Sequence, residues 1–372
     1  MKNLFFLFLV IGALAALTVA TESDARNFIS PSIMNTGDEL RHLHKTTKAT
    51  TASTKKALNQ LISSDYVSFE RRFNAYKIVE IAARESTQHE EQFKGDAHAA
   101  RAHALMWHIT RKDAHKQKSA QIIRAWASTF KDFKVVKGYK PQMYLESAWI
   151  LPIWLSALDM IKGDLTDWTS ADEHESRRFI KKLHSYAKEA HRDNNWGTSA
   201  MLAEISLAVY LEDETLYEQQ LQNFTYYLKT LSNEDGSLNA DYLSDPWHPQ
   251  YTIIGLIQTA EIASNQGDNL FDVIIDDESM PRLEAILLHF KSLFLGETAN
   301  PKGLKKGNYK GAHNNKQGYQ IALSHYGQQK SNKVWTSSFQ ENWNPSKTSP
   351  LFMMWDRVTH SQVVIGGDSN LL

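Results

Sequence analysis

Two short polar segments carry the side chains best suited to chemistry, and each opens an apolar run. The first is Arg192-Asp193-Asn194-Asn195-Trp196-Gly197-Thr198, directly ahead of Ser199 to Leu211. Its place predicts a loop and N-cap at the mouth of a helix, where amide side chains and backbone N–H groups point outward. The second is Asp235-Gly236-Ser237-Leu238, followed by Asp245-Pro246-Trp247-His248-Pro249-Gln250-Tyr251, again leading into an apolar helix. Two prolines flank Trp247 and His248, which fixes the backbone and holds a His, a Gln and a Tyr close together. An ordinary helix-start loop whose His serves as a cap fits the same spacing. Asn195 and His248 stand 53 residues apart.

Amides, an imidazole and a phenol in one aromatic cleft suit the breaking of a uronate polysaccharide by β-elimination. The C5 proton beside a carboxylate is weakly acidic until that carboxylate is neutralised or hydrogen-bonded. Amide or cationic donors can then stabilise the dianionic, enolate-like intermediate as an oxyanion hole does. A histidine or tyrosinate takes the proton, and a tyrosine or histidine protonates the leaving glycosidic oxygen. The spacing does not say which of His248, Tyr251 or a later Tyr is base and which is acid. The scheme needs no cofactor and no metal, and the sequence has no His-Glu-x-x-His and no carboxylate cluster at ligand spacing. His98, His103, His108 and His115 do not share one helical face.

Composition narrows the field. The 372 residues carry 41 Lys and Arg against 42 Asp and Glu, a net charge of −1 that argues against a nucleic-acid partner. The absence of cysteine removes a thiol nucleophile, a Cys-based metal site and any disulfide. Ten Trp and fourteen Tyr suit a core and also a sugar-stacking cleft. Residues 1–20 read as a secretory signal peptide: Lys2, an apolar run from Leu4 to Val19 and small residues at its exit. That predicts a secreted monomer, extracellular or periplasmic, with no membrane association once the signal is removed.

Helices must position the two loops. Residues 21–56 are poorly periodic and are expected to be a loosely ordered lead-in, and 57–372 a single domain. Apolar residues recur at three and four over Tyr66–Arg84, Ala97–Thr110, Ala120–Phe130, Tyr144–Ile161, Glu175–His191, Thr198–Leu211, Glu214–Leu231, Tyr251–Ser264 and Met280–Leu295. The region Lys302–Thr348 is the least periodic and could hold a short strand or two. Polar turns at His108–Asp113, Val209–Asp213 and Ala263–Asp268 each end an apolar helix and precede a second one, from Lys116, Tyr217 and Leu270. A helical hairpin of about 50 residues fits these separations, and such hairpins bury their faces only by stacking, as a solenoid or a closed α/α toroid. In a toroid one repeat places the two loops on neighbouring inner helices at the same end.

These residues resemble the alginate lyase superfamily: polysaccharide lyase family 5 and relatives such as family 38, which act on alginate or glucuronan. The matching pieces are Gly95-Asp96-Ala97 with the helix through Trp107, Asp193-Asn194-Asn195-Trp196, Asp235-Gly236-Ser237, and His248-Pro249-Gln250-Tyr251 running into Ala260-Glu261-Ile262-Ala263 and Asn265-Gln266-Gly267. Gly318-Tyr319 leading to His325-Tyr326 is a later echo. The resemblance implies an all-α, incomplete (α/α) toroid and a lyase with an anionic polysaccharide partner. It implies that Asn195 neutralises the substrate carboxylate, that Tyr251 moves protons, and that His248 matches the histidine of the His-x-Gln relatives. Trp196 stands where family 5 has a histidine, and Ser244 where it has an arginine. Lys305, Lys306 or Lys310 are the substitutes for that lost charge. Asn194, Trp196, Trp247, Gln250, Tyr309, His325 and Tyr326 are the candidate substrate-binding residues, with His313 a further candidate in the late segment; Tyr144 and Trp149 read as core. The rival readings are a toroid glycoside hydrolase using two of Asp193, Asp241 and Asp245, and a non-catalytic polysaccharide-binding repeat protein.

Overall fold

Helices make up most of the described chain, which in this computed structural model comprises residues 26–46, 52–239, 245–310, 318–329 and 351–360. The signal segment, Asp241, Ser244 and His313 lie outside those residues. Helices α1 (Gly37–Thr46) and α2 (Ala52–Ile62) lead to strand β1 (Ile78–Ala82) and then to a run of paired helices. The pairs are α3 (Gln88–Thr110) with α4 (Asp113–Thr129), α5 (Gln142–Ile161) with α6 (Ser170–Ala187), α7 (Asn195–Leu211) with α8 (Glu214–Leu231), and α9 (Trp247–Asn265) with α10 (Arg282–Leu295). Strand β2 (Asp132–Lys137) precedes α5, and α11 (Tyr319–Gln329) and α12 (Asp356–Thr359) come last.

The first helix of each pair is buried almost all round, as α5 is from Leu145 to Ile161. The second presents a stripe: α8 buries Tyr217, Gln220, Phe224, Tyr227, Leu228 and Leu231 at spacings of three and four. Thus α3, α5, α7 and α9 form an inner ring in which α5 packs on α3 and α7, and α7 on α9, with α4, α6 and α8 outside. Inner helices start at residues 88, 142, 195 and 247, the expected repeat of about 50. Because an outer helix returns the chain each time, all inner helices run parallel and begin at one rim. The three echoing turns share a physical cause: Arg111, Glu212 and Gly267 each take a left-handed backbone, which ends the preceding helix. After the third turn the chain runs irregularly from Leu270 to Pro281, so the helix expected from Leu270 begins only at Arg282.

Two other expectations are corrected. The stretch 66–84 is not a helix: Val79, Ile81 and Ala82 are buried, exposed Ile78 opens the strand, and β1 pairs in parallel with β2. The described part of the lead-in, residues 26–46 and 52–56, is not loose either. The Asp159 carboxylate of α5 accepts the backbone N–H groups of Ser32 (2.7 Å) and Ile33 (2.8 Å) and the Ser30 hydroxyl (2.7 Å), which binds that segment into the core. Among the described part of 302–348 there is no strand; α11 occupies it.

The ring comes round through the chain ends. α11 lies on α9, α12 touches α11, α1 and α2, and α1 packs on α3. Arg101, fully buried on α3, donates to the Met354 carbonyl (2.6 Å) and to Ser156 (3.0 Å). His360 Nε2 meets Glu261 Oε1 of α9 at 2.9 Å, and ligand atoms of Glu39, Glu261 and His360 lie within 4.8 Å of one another. Sequence spacing could not show this trio, whose members come from three distant segments. Burial alone would discharge His360, but Glu261, with Glu39 and Asp356, outweighs it and pushes the pKa to about 9. The imidazolium is therefore favoured in the fold, and its stabilisation is full below the unfolded value near 6.5 and lost as pH rises through about 9. Glu261→Gln is expected to lower the unfolding free energy by roughly 2–3 kcal/mol at pH 6. In urea melts the gap between variant and wild type should close by pH 10; a pH-independent gap contradicts this origin.

Candidate active site

The rim where the inner helices begin collects the polar residues of both loops. Asn194 is the N-cap of α7, its side chain accepting from the Trp196 N–H at 2.8 Å. Asn195, in the first turn, is 4% exposed. Gly255 sets the depth of the neighbouring helix: a Cβ there would lie 3.0 Å from both the carbonyl and the hydroxyl oxygen of Thr198, so α9 approaches α7 closely at that level. With the two helices parallel, Tyr251, one turn before Gly255, stands level with Asn194 and Asn195, one turn before Thr198.

The second loop is built around Asp245. One carboxylate oxygen accepts the N–H groups of Trp247 (2.8 Å) and His248 (3.1 Å), capping α9, and the other meets His248 Nδ1 at 2.7 Å. Burial works against the Asp245 charge, but the backbone donors of His248 and Trp247 and the imidazole outweigh it and lower its pKa. The ionised carboxylate thus places the His248 proton on Nδ1 and leaves Nε2, on a half-exposed ring, as the acceptor. Tyr251 lies one turn on, its ring 6.0 Å from that of His248, 6.0 Å from Trp149 of α5 and 6.1 Å from Phe352. An imidazole and a phenol on one helix face, backed by aromatic rings, can remove one proton and deliver another.

The wall beyond Trp149 holds a charge that sequence reasoning missed. Lys94, nearly buried, sits between Glu90 (2.6 Å) and Glu146 (2.5 Å), 5.8 Å from the Trp149 ring. Burial alone would lower its pKa, but Glu146 and Glu90 raise it, so Lys94 stays charged. The i, i+4 pair Glu90–Lys94 in an Ala-rich helix was the available signal. Outside the rim loop, Glu204 of α7 takes His184 Nε2 (2.9 Å) and His191 Nε2 (2.8 Å), while His191 Nδ1 meets the Tyr227 hydroxyl (2.9 Å). Burial opposes the Glu204 charge, yet the two histidines hold its pKa down to about 2. The Tyr227 hydroxyl lies where a Cβ on Gly197 would collide with it, so this chain of groups pins the start of α7 to α8.

Several candidates sit elsewhere than expected. Gln250 is 1% exposed, and its amide donates to the Pro246 carbonyl (2.5 Å), so it braces the first turn of α9 instead of facing substrate. Tyr309 is fully buried against Phe290 and Phe294, beneath the Asp245 loop. His325 stacks on Phe271 at 4.3 Å, and Tyr326 donates to the Phe271 carbonyl at 2.8 Å. Phe271 follows the C-terminal end of α9, so these two belong to the opposite rim. Trp196 is buried with the Arg192 guanidinium 3.9 Å above its ring and Tyr139 stacked at 5.9 Å. Trp247 stays partly exposed, and Gly307 backs onto it and onto Pro246, which brings Lys305 and Lys306 to this loop. Lys310 lies along Gly296. The Asp235-Gly236-Ser237 turn is structural: Gly236 is left-handed against the Ala285 carbonyl, and Asp235 accepts from Ser237.

The family model described as alginate lyase matches residues 33–290, a span that holds both loops and all four inner helices. The chain belongs to the alginate lyase family. It is a polysaccharide lyase. Solved structures with the same fold include an alginate lyase from Bacteroides ovatus, at 12% identity and a TM-score of 0.62 over 86% of this chain and 98% of that one. Alginate lyase A1-III from Sphingomonas species A1 matches at 12% identity and a TM-score of 0.58, over 86% and 93%. A variant of alginate lyase A1-III complexed with a tetrasaccharide matches at 14% identity and a TM-score of 0.58, over 79% and 85%. No curated protein matches the chain. In this lyase Asp245→Ala should cost about 1 kcal/mol of stability through the lost cap. It should also lower product formation roughly tenfold or more by freeing the imidazole; melting curves and initial rates check both, and an unchanged rate contradicts the assigned role.

Proposed function

We propose that this polysaccharide lyase cleaves a β-1,4-linked uronate polymer, alginate or polymannuronate in the first place and glucuronan as the other candidate. The cut is a metal-independent β-elimination that leaves an unsaturated uronate end. One observation carries this reading: His248, oriented by Asp245, and Tyr251 share a face of α9 at the level of Asn195. In the proposed reaction Asn195 and the N–H groups at the start of α7 take the substrate carboxylate, where the helix N-terminus favours negative charge. Lys305 and Lys306 add positive charge from the Trp247 side. His248 Nε2 removes the C5 proton, and the Tyr251 phenol protonates the leaving glycosidic oxygen as the double bond forms. Family membership and the tetrasaccharide complex of the similar enzyme support a saccharide in this fold. The hydrolase reading is disfavoured because Asp245 is held by its cap and His248, and Asp193 accepts the Tyr226 hydroxyl at 2.8 Å. We further infer that residues 1–20 direct secretion, in keeping with a polymer met outside the cell.

Digestion of alginate, polymannuronate and glucuronan, followed by ultraviolet absorbance of the new unsaturated end, tests the reading. His248→Ala and Tyr251→Phe should each lose at least about a hundredfold in rate, with melting temperatures near wild type. New reducing ends without absorbance would favour hydrolysis, and full activity in both variants would refute the site.

A further inference from the structure

A cavity of about 290 Å³ opens on the outer side of the rim loop, where Arg192 and Asp193 face Gln219, Asn223 and Tyr226 of α8. Nothing in the reaction above uses it. Its lining is polar, and its volume stands at the lower limit of small-molecule sites, about 300 Å³, which is room for one sugar unit and not for a longer segment. Arg192 is the informative member. It is exposed; its carbonyl accepts the Asn194 N–H at 2.7 Å, while its guanidinium lies 3.9 Å over the Trp196 ring and, among the described residues, pairs with no carboxylate. Stacking on an indole fixes the guanidinium plane and leaves its edge N–H groups free to grip a carboxylate in bidentate fashion. The hydroxyl of Tyr226 donates to Asp193 at 2.8 Å, which sets a phenol and a carboxylate side by side on the cavity wall. The Asn223 amide, also in the lining, donates to Gln220 at 2.9 Å. The loop is rigid for this purpose, because Glu204, His191 and Tyr227 lock it onto α7 and α8.

We propose that this cavity is a subsite for a uronate unit of the polymer, with Arg192 binding its carboxylate and Trp196 holding Arg192 in place. The inference rests on the uronate reading above. Its chemistry is that of an anionic sugar: a cation to pair the carboxylate, amides and a phenol–carboxylate couple for the hydroxyls. One loop thereby serves two neighbouring units, Asn195 on the inner side and Arg192 on the outer.

Calorimetric titration of the Tyr251→Phe protein with a mannuronate or glucuronate tetramer tests this without turnover. Adding Arg192→Gln should weaken binding by about tenfold or more, the loss of a charge-assisted hydrogen-bond pair, and Arg192→Lys should recover part of it. A tetramer with its carboxylates reduced to alcohols should bind weakly and equally to all three. Arg192 is exposed, so the variants should melt with the parent. Unchanged affinity in Arg192→Gln overturns the subsite while leaving the lyase reading intact. If the Tyr251→Phe protein binds no uronate tetramer and wild type releases no unsaturated product, the lyase reading falls and the subsite falls with it.

Discussion

A hairpin repeat whose first helix is always the inner one forces every inner helix to start at the same rim, and the rest of the molecule depends on that constraint. It shows in the burial: α3, α5, α7 and α9 are covered almost all round, each enclosed by its outer partner and its neighbours. The α7–α9 seam sharpens the constraint. Gly255 lies against Thr198, where an added Cβ would meet its carbonyl and hydroxyl oxygens at 3.0 Å, tighter than ordinary packing. Because the seam is tight, Asn195 and Tyr251 keep a fixed relative height, and Asp245 fixes His248 one turn away. Four N-termini at one rim also gather positive backbone ends where an anionic substrate would arrive.

The two rims divide the work. At one, His248 and Tyr251 stand against the rings of Trp149 and Phe352, with Lys94 held between Glu90 and Glu146 behind Trp149. At the other, polar groups close the ring: Asp159 captures the segment from Ser30 to Ile33, Asp356 accepts from Gly318 and Gln320, and His360 pairs with Glu261. Without cysteine, these buried ion pairs and capped backbone groups do the joining that a disulfide does in other folds. Removing one partner of such a pair leaves a buried charge alone, which is why each is expected to matter more than a surface pair.

Much of this architecture was legible in the sequence, for identifiable reasons. The outer helices α4, α6 and α8 carried a three-and-four periodicity and the inner α5, α7 and α9 long apolar runs, and the echoing turns were legible because a left-handed residue ends each helix. The start of α7 and the start of α9 were found from cap residues and prolines. Val79 and Ile81 were misread because a five-residue strand holds too few positions to separate period two from period three and four. The ordered segment Ser30–Ile33 was missed because its anchor, Asp159, lies more than a hundred residues away. The late candidates failed for a similar reason: Tyr309, His325 and Tyr326 are polar-tipped aromatics whose partners, Phe290 and Phe271, no local pattern reveals. Arg192 was in view, but its stacking on Trp196 is a tertiary fact.

The central claim is that chemistry occurs at the rim where α7 and α9 begin. A crystal structure of the Tyr251→Phe protein soaked with a uronate tetramer tests it most directly. The account predicts a sugar carboxylate at Asn195, with its C5 within hydrogen-bonding reach of His248 Nε2. A tetramer seated at the opposite rim, beside Tyr326 or Glu261, or a cleft that leaves His248 and Asn195 untouched, would contradict it.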